Sequence, residues 1–167
     1  MSGVRLNARK NTSIIAQLEE IKMPSEYENF WKKNSFAVVG HSAKSSFPEL
    51  SYKELRKQGR KVFAVDPSTD SICGDKAYGD LQSLPEKVEG VVLELPKEET
   101  ESWVNKAAEA GVKDIWLHMG SDTPQALETG KKQGLNVLHG TCAVMYLNQN
   151  FTYHSIHRGI MKMLKRY

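Results

Sequence analysis

Phe36-Ala37-Val38-Val39-Gly40-His41-Ser42-Ala43-Lys44 is the stretch whose reading decides the fold. Its first four residues form a short, uninterrupted apolar run, the pattern of a strand buried on both faces. Gly40 ends the run, small and polar residues follow, and Pro48 opens a helical pattern. A strand, a glycine turn and a helix N-terminus together make an anion cradle. Glycine lets the backbone approach the anion, and the first helical N–H groups have no partner within the helix. The full G-x-G-x-x-G fingerprint is absent. One glycine is followed instead by His41, Ser42 and Lys44.

The same strand-to-helix alternation recurs downstream. Lys61 to Asp66 reads as a second strand, Glu89 to Leu95 as a third, Lys113 to Met119 as a fourth and Leu135 to His139 as a fifth. Between them lie helices with inward faces at Leu50, Tyr52 and Leu55, at Trp103, Val104, Ala107 and Ala108, and at Ala126 and Leu127. Gly59, Gly111 and Gly134 stand where helices end. Pro96 starts one helix and Asp122 is the expected N-cap of another. Asp70 to Asp80 reads as a loop, with a helical turn at Leu81 to Leu84. The pattern predicts an α/β fold, a doubly wound parallel sheet of five strands in the Rossmann-like order 3-2-1-4-5, with extra N- and C-terminal helices. Ligands of such sheets sit beyond the C-terminal strand edge at the switch point. The predicted order puts that point between strands one and four, with Gly40–Lys44 opposite Met119–Asp122.

Three segments are expected: a tail with helices over 1–34, the nucleotide-binding domain over 35–147 and an amphipathic helix over 148–167. In the first, Ile14, Ile15, Leu18 and Ile21 share a helical face, and Tyr27, Phe30 and Trp31 form a second short piece that packs onto the sheet. In the last, Ile156, Ile160, Met163 and Leu164 oppose Arg158, Lys162, Lys165 and Arg166, which makes a homodimer through the terminal helices an option.

The 167 residues carry a net charge of only +3, with basic residues dispersed, which argues against a nucleic-acid partner. No run approaches membrane-spanning length and no secretory signal stands at the start, so a cytoplasmic protein without membrane contact is expected. The two cysteines, Cys73 and Cys142, lack metal-ligand spacing and read as free thiols. His41, His118, His139 and Cys142 fall near strand C-termini. However, strand alternation and the lack of i, i+4 spacing count against a metal, and none is expected. Ser42 lacks the second glycine of a nucleophile elbow and Cys142 has no fixed base, so no catalytic residue is assigned.

Several motifs, taken in order, resemble the small CoA-binding domain proteins, single Rossmann-like domains related to the CoA-binding part of succinyl-CoA synthetase. They are Gly40-His41-Ser42 after strand one, Val65-Asp66-Pro67 after strand two, and Gly74-Asp75-Lys76 with Leu81 to Pro85. Trp116-Leu117-His118-Met119-Gly120 at strand four and Cys142 after strand five complete the set. The resemblance spans roughly Phe36 to Leu147. It implies binding of CoA or an acyl-CoA without a reaction of the chain's own. It places Gly40, His41, Ser42 and Lys44 at the phosphates, and Pro67 and Ser68 towards the adenosine, with Asp66 at the end of strand two repelling the 3′-phosphate of CoA. Leu95, Pro96, Met119 and Gly120 would flank the nucleotide or the pantetheine arm. It also leads to the expectation that Gly40→Val abolishes binding with little loss of fold.

The chain departs from the family pattern in three places. Gly-Ala-Ser is Gly40-His41-Ser42 here, Asn-Pro is Asp66-Pro67, and no acidic residue follows Cys142 in Ala143-Val144-Met145-Tyr146. Asp66 stands 26 positions past Gly40, where NAD sites place the carboxylate that grips the ribose. The alternative is therefore an NAD(H)-binding sensor or small oxidoreductase using Asp66. A third option is an interaction module with no nucleotide.

Overall fold

The computed structural model describes residues 25–147. The helix expected over Ile14–Ile21 and the C-terminal amphipathic helix lie outside this range. Seven strands alternate with helices: α1 (Glu26–Phe30), β1 (Ser35–Gly40), α2 (Phe47–Lys57), β2 (Lys61–Val65), β3 (Ser71–Ile72), β4 (Asp75–Tyr78), a 3₁₀ turn (Leu81–Ser83), β5 (Gly90–Glu94), α3 (Lys97–Glu109), β6 (Asp114–His118), α4 (Pro124–Lys132), β7 (Asn136–Thr141) and α5 (Ala143–Leu147).

The sheet order is β3-β4-β2-β1-β5-β6-β7. All neighbours are parallel except β3 and β4. The doubly wound architecture is as expected, but the strand count and order are not. The strand predicted third, now β5, lies on the far side of β1 from β2. The place beside β2 is taken by β4, within the Asp70–Asp80 stretch that reads as loop in the sequence. β4 is only four residues long and pairs at Ala64–Ala77 and Val65–Tyr78. Asp75, Lys76 and two flanking glycines hide it from any periodicity test. A two-residue turn, Cys73-Gly74, joins it to β3, with both residues at positive φ, as tight hairpins require. The switch point therefore lies between β1 and β5, one strand nearer than expected.

Strand alternation sorts the core into two layers. Ala37, Val39, Val91, Leu93, Ile115 and Leu117 face α3 and α4, meeting Trp103, Val104, Ala107 and Ala126. Phe36, Val38, Val92, Trp116 and Leu138 face the other way, towards Phe30 and Trp31 at the end of α1, Leu55 of α2, and Ala143 and Leu147 of α5. The entry segment packs on the sheet as anticipated. The ring of Trp116 lies 4.7 Å from that of Trp31 and 5.5 Å from that of Phe30, in tilted contacts that add to simple burial.

α2 departs from its expected face. Pro48, Ser51, Tyr52 and Leu55 are buried, whereas Leu50 is 43% exposed. In α3, Thr100 replaces Ala108 among the inward residues. The N-cap of α4 is Thr123, whose hydroxyl accepts from Ala126 N–H, rather than Asp122. Among the described residues no helix is long and apolar enough to cross a membrane.

Candidate functional site

The C-terminal ends of β1, β5 and β6 open into a cleft of about 270 Å³. Each strand delivers its own loop. The turn after β1 contributes His41, Lys44 and Ser45, and α2 adds Phe47. β5 ends in Glu94, Leu95 and Pro96, and β6 ends in His118 followed by Met119, Gly120 and Ser121. Gly120 takes a φ of 91°, the left-handed region that lets the chain reverse directly at the mouth. Ser121 Oγ–H donates to the Leu95 carbonyl at 2.7 Å and ties the two loops together.

Gly40 lies behind this cleft. A Cβ there would fall 2.3 Å from Pro48 Cγ and 2.8 Å from the Glu94 carbonyl oxygen. The glycine is needed because β1, β5 and the first turn of α2 converge at that point. The expectation that Gly40→Val spares the fold is therefore corrected: the valine would push apart the elements that build the site.

Asp66 is 1% exposed and points at the β1 turn. Its Oδ2 accepts from Ser42 N–H at 2.8 Å and Ser42 Oγ–H at 2.7 Å. Its Oδ1 accepts from Ser68 N–H at 2.8 Å and Ser68 Oγ–H at 2.5 Å. Burial by itself pushes this carboxyl up. The hydrogen bonds from Ser68 and Ser42 outweigh it and hold the group below the usual carboxylate range. Both oxygens are engaged in bracing two loops, so the ribose-gripping role behind the NAD alternative is not favoured. The same bonds occupy the N–H and the hydroxyl proton of Ser42. Ser42 and Ser68 thus form a brace through Asp66 between the β1 and β2 turns, while His41 and Lys44 line the cleft.

Each strand-end histidine has a carboxylate beside it. His41 Nε2 lies 2.7 Å from Glu99 Oε2, with Asp66 Oδ1 3.8 Å from its Nδ1. His118 Nδ1 lies 3.2 Å from Glu94 Oε1, and His139 Nδ1 lies 3.3 Å from Asp122 Oδ2. The rings are held apart by separate partners, and no group of three metal-ligating side chains forms among the described residues. Cys142 is buried, and burial pushes its thiol up, which suits an inert packing residue better than a nucleophile.

Of the residues singled out by sequence, His41, Lys44, Leu95, Pro96, Met119 and Gly120 meet in one cleft, whereas Gly40, Ser42, Asp66, Pro67 and Ser68 do not line it. Sequence reasoning missed Glu94, Ser45 and Phe47, while Ser121 falls inside the Met119–Asp122 stretch it had placed at the site. Glu94 carried a usable signal: it is the lone carboxylate near the end of an otherwise apolar strand, Gly-Val-Val-Leu-Glu-Leu, and a charge there is buried only with a purpose.

Comparison with known proteins bears on the fold and the family. A subunit of an ADP-forming acetate–CoA ligase II of Pyrococcus furiosus, the alpha subunit, is 24% identical over 127 residues, covering 68% of this chain and 27% of the subunit. A conserved hypothetical protein of known structure from the same organism superposes with a TM-score of 0.61 at 28% identity, covering 65% of this chain and 95% of that one. The dinucleotide-forming acetyl-coenzyme A synthetase 1 of Candidatus Korarchaeum cryptofilum, in its apo form, shares the fold with a TM-score of 0.54 at 23% identity. That match covers 63% of this chain and 25% of the synthetase. The chain thus spans about a quarter of these longer enzymes. The family described as CoA binding domain matches residues 34–148, from the residue before β1 to the residue after α5, and the chain belongs to that family.

Proposed function

We propose that this chain binds CoA or an acyl-CoA in the cleft between the Gly40–Lys44 turn and the ends of β5 and β6, without a covalent step of its own. The observation that carries the reading is convergence. Residues far apart in sequence, His41 and Lys44, Leu95 and Pro96, Met119 and Gly120, line one cleft at the switch point of a sheet whose family is defined by CoA binding. In this reading Lys44, 64% exposed at the rim, attracts the diphosphate. The first turn of α2 behind it adds the favourable end of a helix dipole. The apolar edges of Leu95, Pro96 and Met119 cover the uncharged parts of the ligand. The ligase and synthetase activities belong to longer proteins, and nothing in this cleft requires them.

A thermal-shift titration with CoA, acetyl-CoA, NAD, NADH and ATP tests the reading. CoA at a hundredfold excess over its Kd stabilises the fold by about 2.7 kcal/mol, which is a rise of roughly 5–10 °C in Tm for a domain of this size. Lys44→Ala weakens CoA binding about tenfold, as expected for losing one phosphate-facing cation. NAD gives no comparable shift, because Asp66 is committed to Ser42 and Ser68. A flat response to both CoA and acetyl-CoA, or a shift with NAD alone, overturns the reading.

A further inference from the structure

The two cations that the turn after β1 brings to the cleft, His41 and Lys44, meet the same carboxylate. His41 Nε2 lies 2.7 Å from Glu99 Oε2, and Lys44 Nζ lies 3.9 Å from Glu99 Oε1. A carboxylate only accepts, so His41 Nε2 carries a proton and donates it. The other ring nitrogen, Nδ1, is buried without a hydrogen bond among the described residues. Asp66 Oδ1 stands 3.8 Å from it, but the bonds from Ser42 and Ser68 hold that carboxylate where it is. Glu99 is thus the hydrogen-bond partner of the ring. It reaches His41 from the other side of the switch point, because it lies in the first turn of α3, which follows β5. The unpaired N–H groups of that turn also favour a negative charge. The bridge therefore runs from the loop of β1 to the helix after β5, across the place where ligands of such sheets sit. The Glu99 side chain is 36% exposed, so an anion arriving from solvent can reach the pair. An ion pair this exposed contributes little to stability. Its consequence is for whatever else seeks the same cations.

Resting on the CoA reading above, we infer that Glu99 is a built-in competitor for the ligand's diphosphate. In the free protein it holds His41 and Lys44, and the diphosphate reaches them by displacing it. Three positive features converge on this carboxylate: the His41 N–H, the Lys44 ammonium and the start of α3. These are the features that attract a phosphate. A singly charged anion gains nothing by changing places with a carboxylate. A diphosphate brings two charges and more acceptor oxygens, so it wins the exchange. Glu99 thereby weakens every anion at the turn but excludes the singly charged ones, and it sets the selectivity of the cleft for the doubly charged part of the ligand. If Glu99 stayed in place beside a bound diphosphate, like charges would face each other across a partly dry cleft, which costs most where water is excluded.

The test combines calorimetric titration of CoA with NMR of the His41 ring in the histidine-labelled full chain, its signals assigned with His41→Ala. Glu99→Gln keeps the shape and one acceptor but gives up the charge, and it is expected to tighten CoA about tenfold. Glu98→Gln removes a charge from an exposed position in the same turn, and it is expected to change CoA affinity less than about twofold, because solvent screens that charge. Lys44→Ala is expected to cost more affinity in the Glu99→Gln background than in the wild type, since the lysine is then no longer shared. Pyrophosphate is expected to move the His41 signals of the wild type, and acetate to move them only in Glu99→Gln. The inference is overturned if Glu99→Gln binds CoA no tighter than the wild type, if Glu98→Gln matches it, or if acetate moves His41 of the wild type as pyrophosphate does. Pyrophosphate also separates this inference from the reading beneath it. If pyrophosphate displaces Glu99 while CoA binds no variant, the CoA reading falls and the competitor stands. If neither moves His41 in the wild type or in Glu99→Gln, both are overturned.

Discussion

Asp66 shows how one side chain can fix two loops. Its four hydrogen bonds link the β1 turn at Ser42 to the β2 turn at Ser68 across the sheet edge. Asn cannot repeat this, since its amide nitrogen offers no acceptor for one pair of donors. Asp66→Asn is expected to lower stability at pH 7 by roughly 3 kcal/mol, the scale of buried bonds to a charged group and of the donors left unpaired. Linkage sets the pH dependence. The folded-state carboxyl titrates below its ordinary value, so its stabilisation is present in full above about pH 4 and is lost as pH falls through the folded value. Denaturant melts at pH 7 and pH 3 check this: the gap between wild type and variant should narrow at the lower pH. An equal gap at both would mean that the charge on Asp66 contributes little.

Among the elements, the junction of β1, β5 and α2 is the most constrained. Gly40 allows Pro48 at the start of α2 to press against the strand end, beside the backbone of Glu94. A carbonyl in a central strand cannot step aside without moving β5 and its register with β6. Gly40→Ala is therefore expected to destabilise by about 1–3 kcal/mol through overpacking, a Tm loss of roughly 3–10 °C, whether or not ligand is present. Calorimetry of the free protein decides this. An unchanged Tm with lost binding would restore a purely ligand-directed role for the glycine. The flanking elements were readable because their signals are local: the Pro96 start of α3, and the positive-φ glycines Gly59 and Gly111 after α2 and α3. Thr123 was overlooked as a cap because Asp122 beside it fits the same pattern equally well. The difference lies in which side chain turns towards the helix, and Asp122 turns to Gly120 N–H and His139 instead.

At the scale of the molecule, two apolar layers clamp one parallel sheet, and the two thiols sample opposite parts of that arrangement. Cys73 is exposed on the β3–β4 hairpin, while Cys142 is buried at the end of β7. Burial pushes both thiols up, and for Cys73 the bond to Glu49 acts in the same direction. Labelling by a thiol reagent at neutral pH is expected in two phases. Cys73 reacts in the native state, more slowly than a free cysteine. Cys142 reacts only on opening of the fold, at a rate that climbs with denaturant. Prompt labelling of both would show that the end of β7 and α5 open locally.

Residues adjacent in the chain determined a good deal of this protein on their own. Phe36–Val39 is short and apolar at every position, the pattern of an interior strand, and Gly40 is the last residue of that strand. The alternation that follows made a doubly wound sheet the economical solution, because each short apolar strand needs helices over both faces. Tertiary structure decided what depends on register and direction. It put β4 next to β2 through two backbone pairings that no side-chain pattern announces. It turned Asp66 towards Ser42 and Ser68, although its position in the chain suited a ribose equally well. It also set Glu94 beside His118, residues 24 positions apart in sequence that become neighbours only when β5 and β6 align. Local propensity acts between near neighbours and is written in composition. The partners of a strand-end side chain are chosen by strand order and register, which the whole core settles together.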